Sequence, residues 1–167
     1  MKPHYEDTVT QPLANDSLIE QRIAALVGRA CRRQLWFLFV DGKNVQLPLI
    51  IPVSDPPVMP DRTVAQLVGN IVRAGESMDA QSVIVVLERF AGSQFSLADK
   101  AWAGALDRAF GDTGLHMRAV LVSHSHGVRW FAPDDYRFDP TGQPGPADQD
   151  QPGRAQFSGG LSSEGPS

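Results

Sequence analysis

The run Ser82-Val83-Ile84-Val85-Val86-Leu87-Glu88-Arg89 is the most regular feature of the hydrophobic pattern. Five apolar residues in succession, four of them β-branched, predict a strand buried on both faces. The polar pair Glu88-Arg89 carries its far end to a wetter edge. Upstream, Val64, Leu67, Val68, Ile71 and Val72 keep the i, i+3, i+4, i+7, i+8 spacing of an amphipathic helix. Asp61 or the Thr63/Gln66 pair is expected to cap it, and Gly75 to stop it. Downstream, Ser96 is expected to cap a helix with an inner face of Ala98, Ala101, Trp102, Ala105 and Ala109, ending at Gly111.

Both flanks extend this alternation. Ser17 and Glu20 form a capping box ahead of a stripe of Ile19, Ile23, Leu26, Val27 and Ala30, with Arg29, Arg32 and Arg33 expected at the helix's C-terminal end. Leu35 to Val40 is the most apolar stretch and predicts a central strand. Asp41-Gly42 signals a turn, so Val45 to Ile51 should fold back beside it. Pro48 lies in that returning strand, and a residue without an N–H belongs at a sheet edge. Pro52 to Pro60 is too rich in proline for regular structure. Met117 to Ser123 predicts another strand, His124-Ser125-His126-Gly127 a tight turn, and Val128 to Phe131 a short returning strand.

The elements run α-β-β-α-β-α-β-β. Strands joined through helices should be parallel and those joined by turns antiparallel. With the proline-bearing strand at an edge, the order is 2-1-3-4-5, a mixed five-stranded sheet in a three-layer α/β/α fold. Residues 1–15 lack periodicity and are expected to be a flexible arm. Residues 16–138 should form a single α/β domain. From 139 to 167 the chain is Pro, Gly, Gln, Ser and Asp with few large apolar residues, the composition of a disordered tail.

Charge and composition narrow the classes. The 167 residues carry a formal net charge of −4, which argues against a nucleic-acid partner. No apolar stretch approaches the roughly 20 residues of a membrane span. The single cysteine, Cys31, cannot form an internal disulfide, which suits a cytoplasmic location. No cofactor is called for.

The strand order resembles that of the cytidine-deaminase-like fold. Its zinc enzymes need His/Cys-x-Glu at the second helix start and Pro-Cys-x-x-Cys at the third. Here those positions read Pro60-Asp61-Arg62-Thr63 and Phe95-Ser96-Leu97-Ala98, so that chemistry is excluded. His124-x-His126 has metal-ligand spacing, since i and i+2 share one face of a strand. The metallo-β-lactamase-like and JAMM signatures it resembles both fail at the completing residues. Val128 and Arg129 stand where the first needs Asp and His; Gly127, Asp134 and Arg137 stand against the second. Glu88 and Arg89 end the central strand where open α/β sheets bind ligands, and Ser123 and His124 end its neighbour. Together with His126, they are the candidates for a ligand rim, and Asp55 could approach it. Gly92-Ser93 could meet a phosphate but lacks P-loop or Rossmann spacing. No Gly-x-Ser-x-Gly elbow exists, Cys31 has no local histidine, and no catalytic residue is assigned.

Between Leu35 and Trp130 the chain carries the apolar hairpin, the proline-rich step, Arg73-Ala74-Gly75, the Val-Ile-Val-Val strand, Phe110-Gly111, and Leu121-Val122 with Gly127-Val128-Arg129-Trp130. In this layout it resembles an actinobacterial domain family of unknown function. No activity is carried over from this resemblance.

Two readings remain open. One is a non-catalytic interaction or scaffold domain, able to bind a protein partner or itself, with Trp130, Phe131 and Tyr136 as exposed aromatic candidates. The other is a small-ligand or metal-dependent enzyme using Glu88, His124 and His126.

Overall fold

The computed structural model describes residues 11–136. The tail expected at 139–167 and most of the arm expected at 1–15 lie outside the described residues. The elements are α1 (Asp16–Leu26), β1 (Gln34–Val40), β2 (Gln46–Ser54), α2 (Val64–Glu76), β3 (Ser82–Glu88), α3 (Leu97–Gly111), β4 (His116–His124), β5 (Gly127–Phe131) and the short α4 (Pro133–Tyr136). One five-stranded sheet has the order β2-β1-β3-β4-β5, as the proline argument requires. β1 is antiparallel to both β2 and β3, so β2 and β3 run the same way. β3 and β4 are parallel, and β5 returns antiparallel.

The strand alternation divides the core in two. Phe37, Phe39, Val83, Val85, Leu87, Val120 and Val122 pack under α2 and α3. Leu38, Val40, Ile84, Val86 and Leu121 pack under α1. All seven residues of β3 are buried, and it is the hub of both layers. Each of its aliphatic side chains contributes about 1.5–3 kcal/mol by burial.

Several local expectations are corrected. α1 starts at Asp16 rather than Ser17, because Asn15 Oδ1 accepts from the Leu18 N–H at 2.9 Å and caps it. It ends at Leu26, and Gly28 turns the chain at φ +69°, so Arg29, Arg32 and Arg33 lie in the following loop rather than on the helix. Leu13, inside the expected arm, is buried in the α1 layer, and its N–H donates to the Asn44 carbonyl. The β1–β2 turn is wider than an Asp-Gly hairpin. Asp41 Oδ1 accepts from the Lys43 and Val45 amides, and Asn44 takes φ +65°. β2 therefore runs on to Ser54 and includes Pro52. Pro48 and Pro52 are both exposed on this edge strand.

The helix faces also differ. The buried stripe of α3 is Trp102, Ala103, Leu106 and Phe110, with Ala105 and Ala109 only partly buried beside it. The larger side chains take the inner positions because they bury more area. Gly75 does not stop α2, which continues to Glu76. A Cβ at Gly75 would stand 3.0 Å from Phe39 Cε1, so glycine here permits helix-to-sheet contact. Gly69, on the same helix, has no neighbour within 4 Å of that point. Gly69→Ala should therefore raise stability by about 0.5–1 kcal/mol through helix propensity. Gly75→Ala should lower it, because overpacking costs about 1–3 kcal/mol. Urea unfolding of the two variants checks the opposite signs.

Candidate functional site at the carboxyl edge of the sheet

Glu88 ends β3 with its side chain on the α1 face, beside the register partners Gln34 and Ser123. The carboxylate is 3% exposed and is met by hydrogen-bond donors rather than by a cation. Oε2 accepts from the backbone N–H of Cys31 at 2.9 Å and of Arg32 at 3.2 Å, with the Cys31 thiol at 3.6 Å. Oε1 accepts from Gln34 Nε2 at 3.2 Å and Trp36 Nε1 at 2.9 Å. Burial on its own would raise the Glu88 pKa. The Cys31, Trp36, Gln34 and Arg32 donors outweigh it and hold the carboxyl below its ordinary value. Glu88 is thus an ionised anchor for the loop between α1 and β1.

Arg89 points to the other face. Its guanidinium pairs with Asp99 at 2.8 Å and donates to the Gly92 and Gln94 carbonyls. Asp99 also accepts from the Ser96 N–H, while Ser96 Oγ accepts from the Asp99 N–H, completing the capping box of α3. The helix N-terminus where a phosphate would sit is filled by the chain's own carboxylate.

Ser123 Oγ donates to the Gly28 carbonyl at 2.6 Å, and the His124 carbonyl accepts from the Ala30 N–H. Both contacts close the same α1–β1 loop against β4. His124 Nδ1 accepts from the His126 N–H at 3.2 Å. Burial and the charges of Arg89, His126 and Arg129 lower the His124 pKa, so its ring is held neutral. The His124 and His126 rings stand 6.4 Å apart, with His126 exposed at the hairpin tip.

The five rim candidates share one edge but divide between its two faces, Glu88 and Ser123 on the α1 side and Arg89 and His124 on the other. Glu88 and Ser123 tie down one loop, Arg89 shapes another, and the histidines occupy the hairpin. Asp55 is exposed nearby at φ +50°, its N–H donating to the Arg33 carbonyl. Among the described residues no group of three or more His, Cys, Asp or Glu side chains could hold a metal ion. The cleft between Arg33, Gln34, Pro56, Ser96, Asp99 and Trp102 has a volume of about 50 Å³. That volume has room for a few water molecules.

The residues missed in the sequence lie on the segments that contribute Pro56, Arg89 and Ser96 to this cleft. Arg33 donates to the Pro56 and Pro57 carbonyls, and Trp102 Nε1 to those of Pro57 and Val58. The pinned loop carries Val58 and Met59 outward, while the Arg89-shaped loop carries Phe90 and leads to Leu97. These four are the exposed large hydrophobic residues among those described, with Phe90 73% and Leu97 67% exposed. The isolated apolar residue after a strand's polar end (Phe90) and the one just inside a helix cap (Leu97) were the available signals.

The aromatic candidates are corrected in the other direction. Phe131 and Tyr136 are buried and Trp130 is half-buried. Phe131 stacks on Phe95 with centroids 4.1 Å apart, and Tyr136 meets Phe131 edge-on at 5.2 Å. α4 folds Tyr136 back onto the core after β5, so these rings close the core instead of facing a partner.

The fold and edge define a three-layer α/β protein with a mixed sheet. No protein-family model matches the chain, and no curated protein matches its sequence. No helix among the described residues is long and apolar enough to cross a membrane.

Glu88→Gln keeps the volume but replaces one acceptor oxygen with an NH₂ group, turning it against groups that already donate. The orphaned donors should cost about 2–4 kcal/mol, measured by chemical denaturation. The sign of the acid dependence follows from the lowered pKa. The Glu88 contribution is complete above the unfolded value of about 4.3 and is lost as pH falls through the lower folded value. The slope of stability against pH below about 4.3 should be shallower in Glu88→Gln than in the wild type.

Proposed function

We propose that the protein is a non-catalytic interaction domain whose binding surface is the carboxyl edge of the sheet. One observation carries this reading: the large hydrophobic residues exposed among those described, Val58, Met59, Phe90 and Leu97, all lie on the two segments that Arg33, Trp102 and Arg89 hold at this edge. Exposed apolar surface on ordered backbone marks protein-binding sites. The polar groups that could have served catalysis are engaged in holding the edge in shape. Arg33 and Arg89 each fix a loop by donating to two backbone carbonyls, so the apolar residues are presented on ordered backbone. A preorganised surface loses less entropy when it binds.

The partner is a protein, or a second copy of the chain.

Phe90→Ser with Leu97→Ser should change stability little, because neither side chain is buried. Central anchors of this kind cost about 2 kcal/mol or more when truncated. The double variant should therefore retain at least tenfold less of a partner that the wild type captures, or show a correspondingly weaker self-association by light scattering. Equal capture and equal association by the two proteins would refute the reading.

A further inference from the structure

The two edges of the sheet are not equivalent. On β2, Pro48 and Pro52 are exposed and have no N–H to offer an incoming strand. β5, the opposite edge, contains no proline. The Ser123 carbonyl accepts from the Arg89 N–H at 3.2 Å, so the backbone of Ser123 faces β3. Alternation along β4 then directs Val122 and His124 toward β5. Ser123 and Leu121 are the register partners of Val128 and Trp130. Those two residues accordingly turn their N–H and C=O groups away from β4, along the open edge. Among the described residues none of these four groups forms a hydrogen bond.

We propose that β5 is a docking edge for an extended acidic segment of a partner protein, which joins the sheet as a sixth strand. The backbone supplies the hydrogen bonds, and Arg129 supplies the charge selectivity. Arg129 lies between the two outward-facing residues and is exposed. Its guanidinium donates to the Ser93 carbonyl at 3.0 Å and lies 4.1 Å from the centre of the Phe95 ring. It has no carboxylate partner among the described residues. In an antiparallel strand bonded to Val128 and Trp130, the residue opposite Arg129 falls in a close, non-hydrogen-bonded pair, with Cα atoms about 4.5 Å apart. An acidic side chain there completes the ion pair. Its two neighbours fall beside Val128 and Trp130, both half-buried against the α1 layer, and so should be apolar. The recognised pattern is apolar-acidic-apolar.

Charge also selects against a second copy. Two β5 strands paired through the same four groups would set Arg129 directly against Arg129, and like charges directly opposite are destabilising. The proposal does not depend on the apolar patch binding anything.

The test uses the full chain and a capped peptide of alternating valine and glutamate, with a valine–lysine peptide as control. Adding the glutamate peptide should slow amide exchange at Val128 and Trp130 and leave Arg129, already bonded to β4, unchanged. Val128→Pro removes an outward donor without touching the β4 ladder. It should weaken binding at least tenfold, as should Arg129→Glu. Arg129→Glu alters an exposed side chain, so it reports even if Val128→Pro fails to fold, and it should reverse the preference toward the lysine peptide. Unchanged exchange at Val128 and Trp130 would overturn the proposal. So would equal affinity for the two peptides, or a peptide-free dimer paired through β5.

Discussion

The carboxylate of Glu88 is the interaction on which this edge of the molecule depends. A charge buried without a counter-ion is tolerated only if donors replace its water. Here two backbone amides and two side chains replace it. Three of the four structural pieces that meet at the edge are joined through this one group: the α1–β1 loop, β1 and β3. Ser123 and His124 bind the fourth, β4, to the same loop. Among the described residues no buried side-chain nitrogen or oxygen lacks a partner. The polarity at the end of the central strand is therefore fully used in building the edge.

Arg89 extends the same construction to the far face, where it pairs with Asp99, holds two carbonyls and places Phe90 and Leu97 on either side of a shaped loop. Arg33 does the same for the segment carrying Val58 and Met59. What the edge offers outward, beyond these engaged polar groups, is apolar surface on backbone held by Arg33 and Arg89.

The fold was legible because a few residues carried unambiguous physics. The β-branched run in β3 predicted a doubly buried strand, and Pro48 predicted the edge that fixed the order of all five strands. The face of α3 was less legible, since alanines and larger apolar residues both repeat at helical spacing and only packing decides between them. Gly75 read as a helix stop because a close approach by Phe39 has no local signature. The candidate site was legible as a location and not as a geometry. Glu88, Arg89, Ser123 and His124 do reach one edge, but strand alternation sends neighbours to opposite faces. The donors to Glu88 come from loop positions more than fifty residues away in the chain, and no spacing rule reports them.

The central claim, that an ionised Glu88 holds the α1–β1 loop, is tested most directly by amide exchange at Cys31 and Arg32. Both residues are exposed, and an unanchored surface loop would exchange these amides quickly. The account predicts strong protection of both at neutral pH, lost in Glu88→Gln while β3 stays protected. Fast exchange of both amides in the wild-type protein would contradict it.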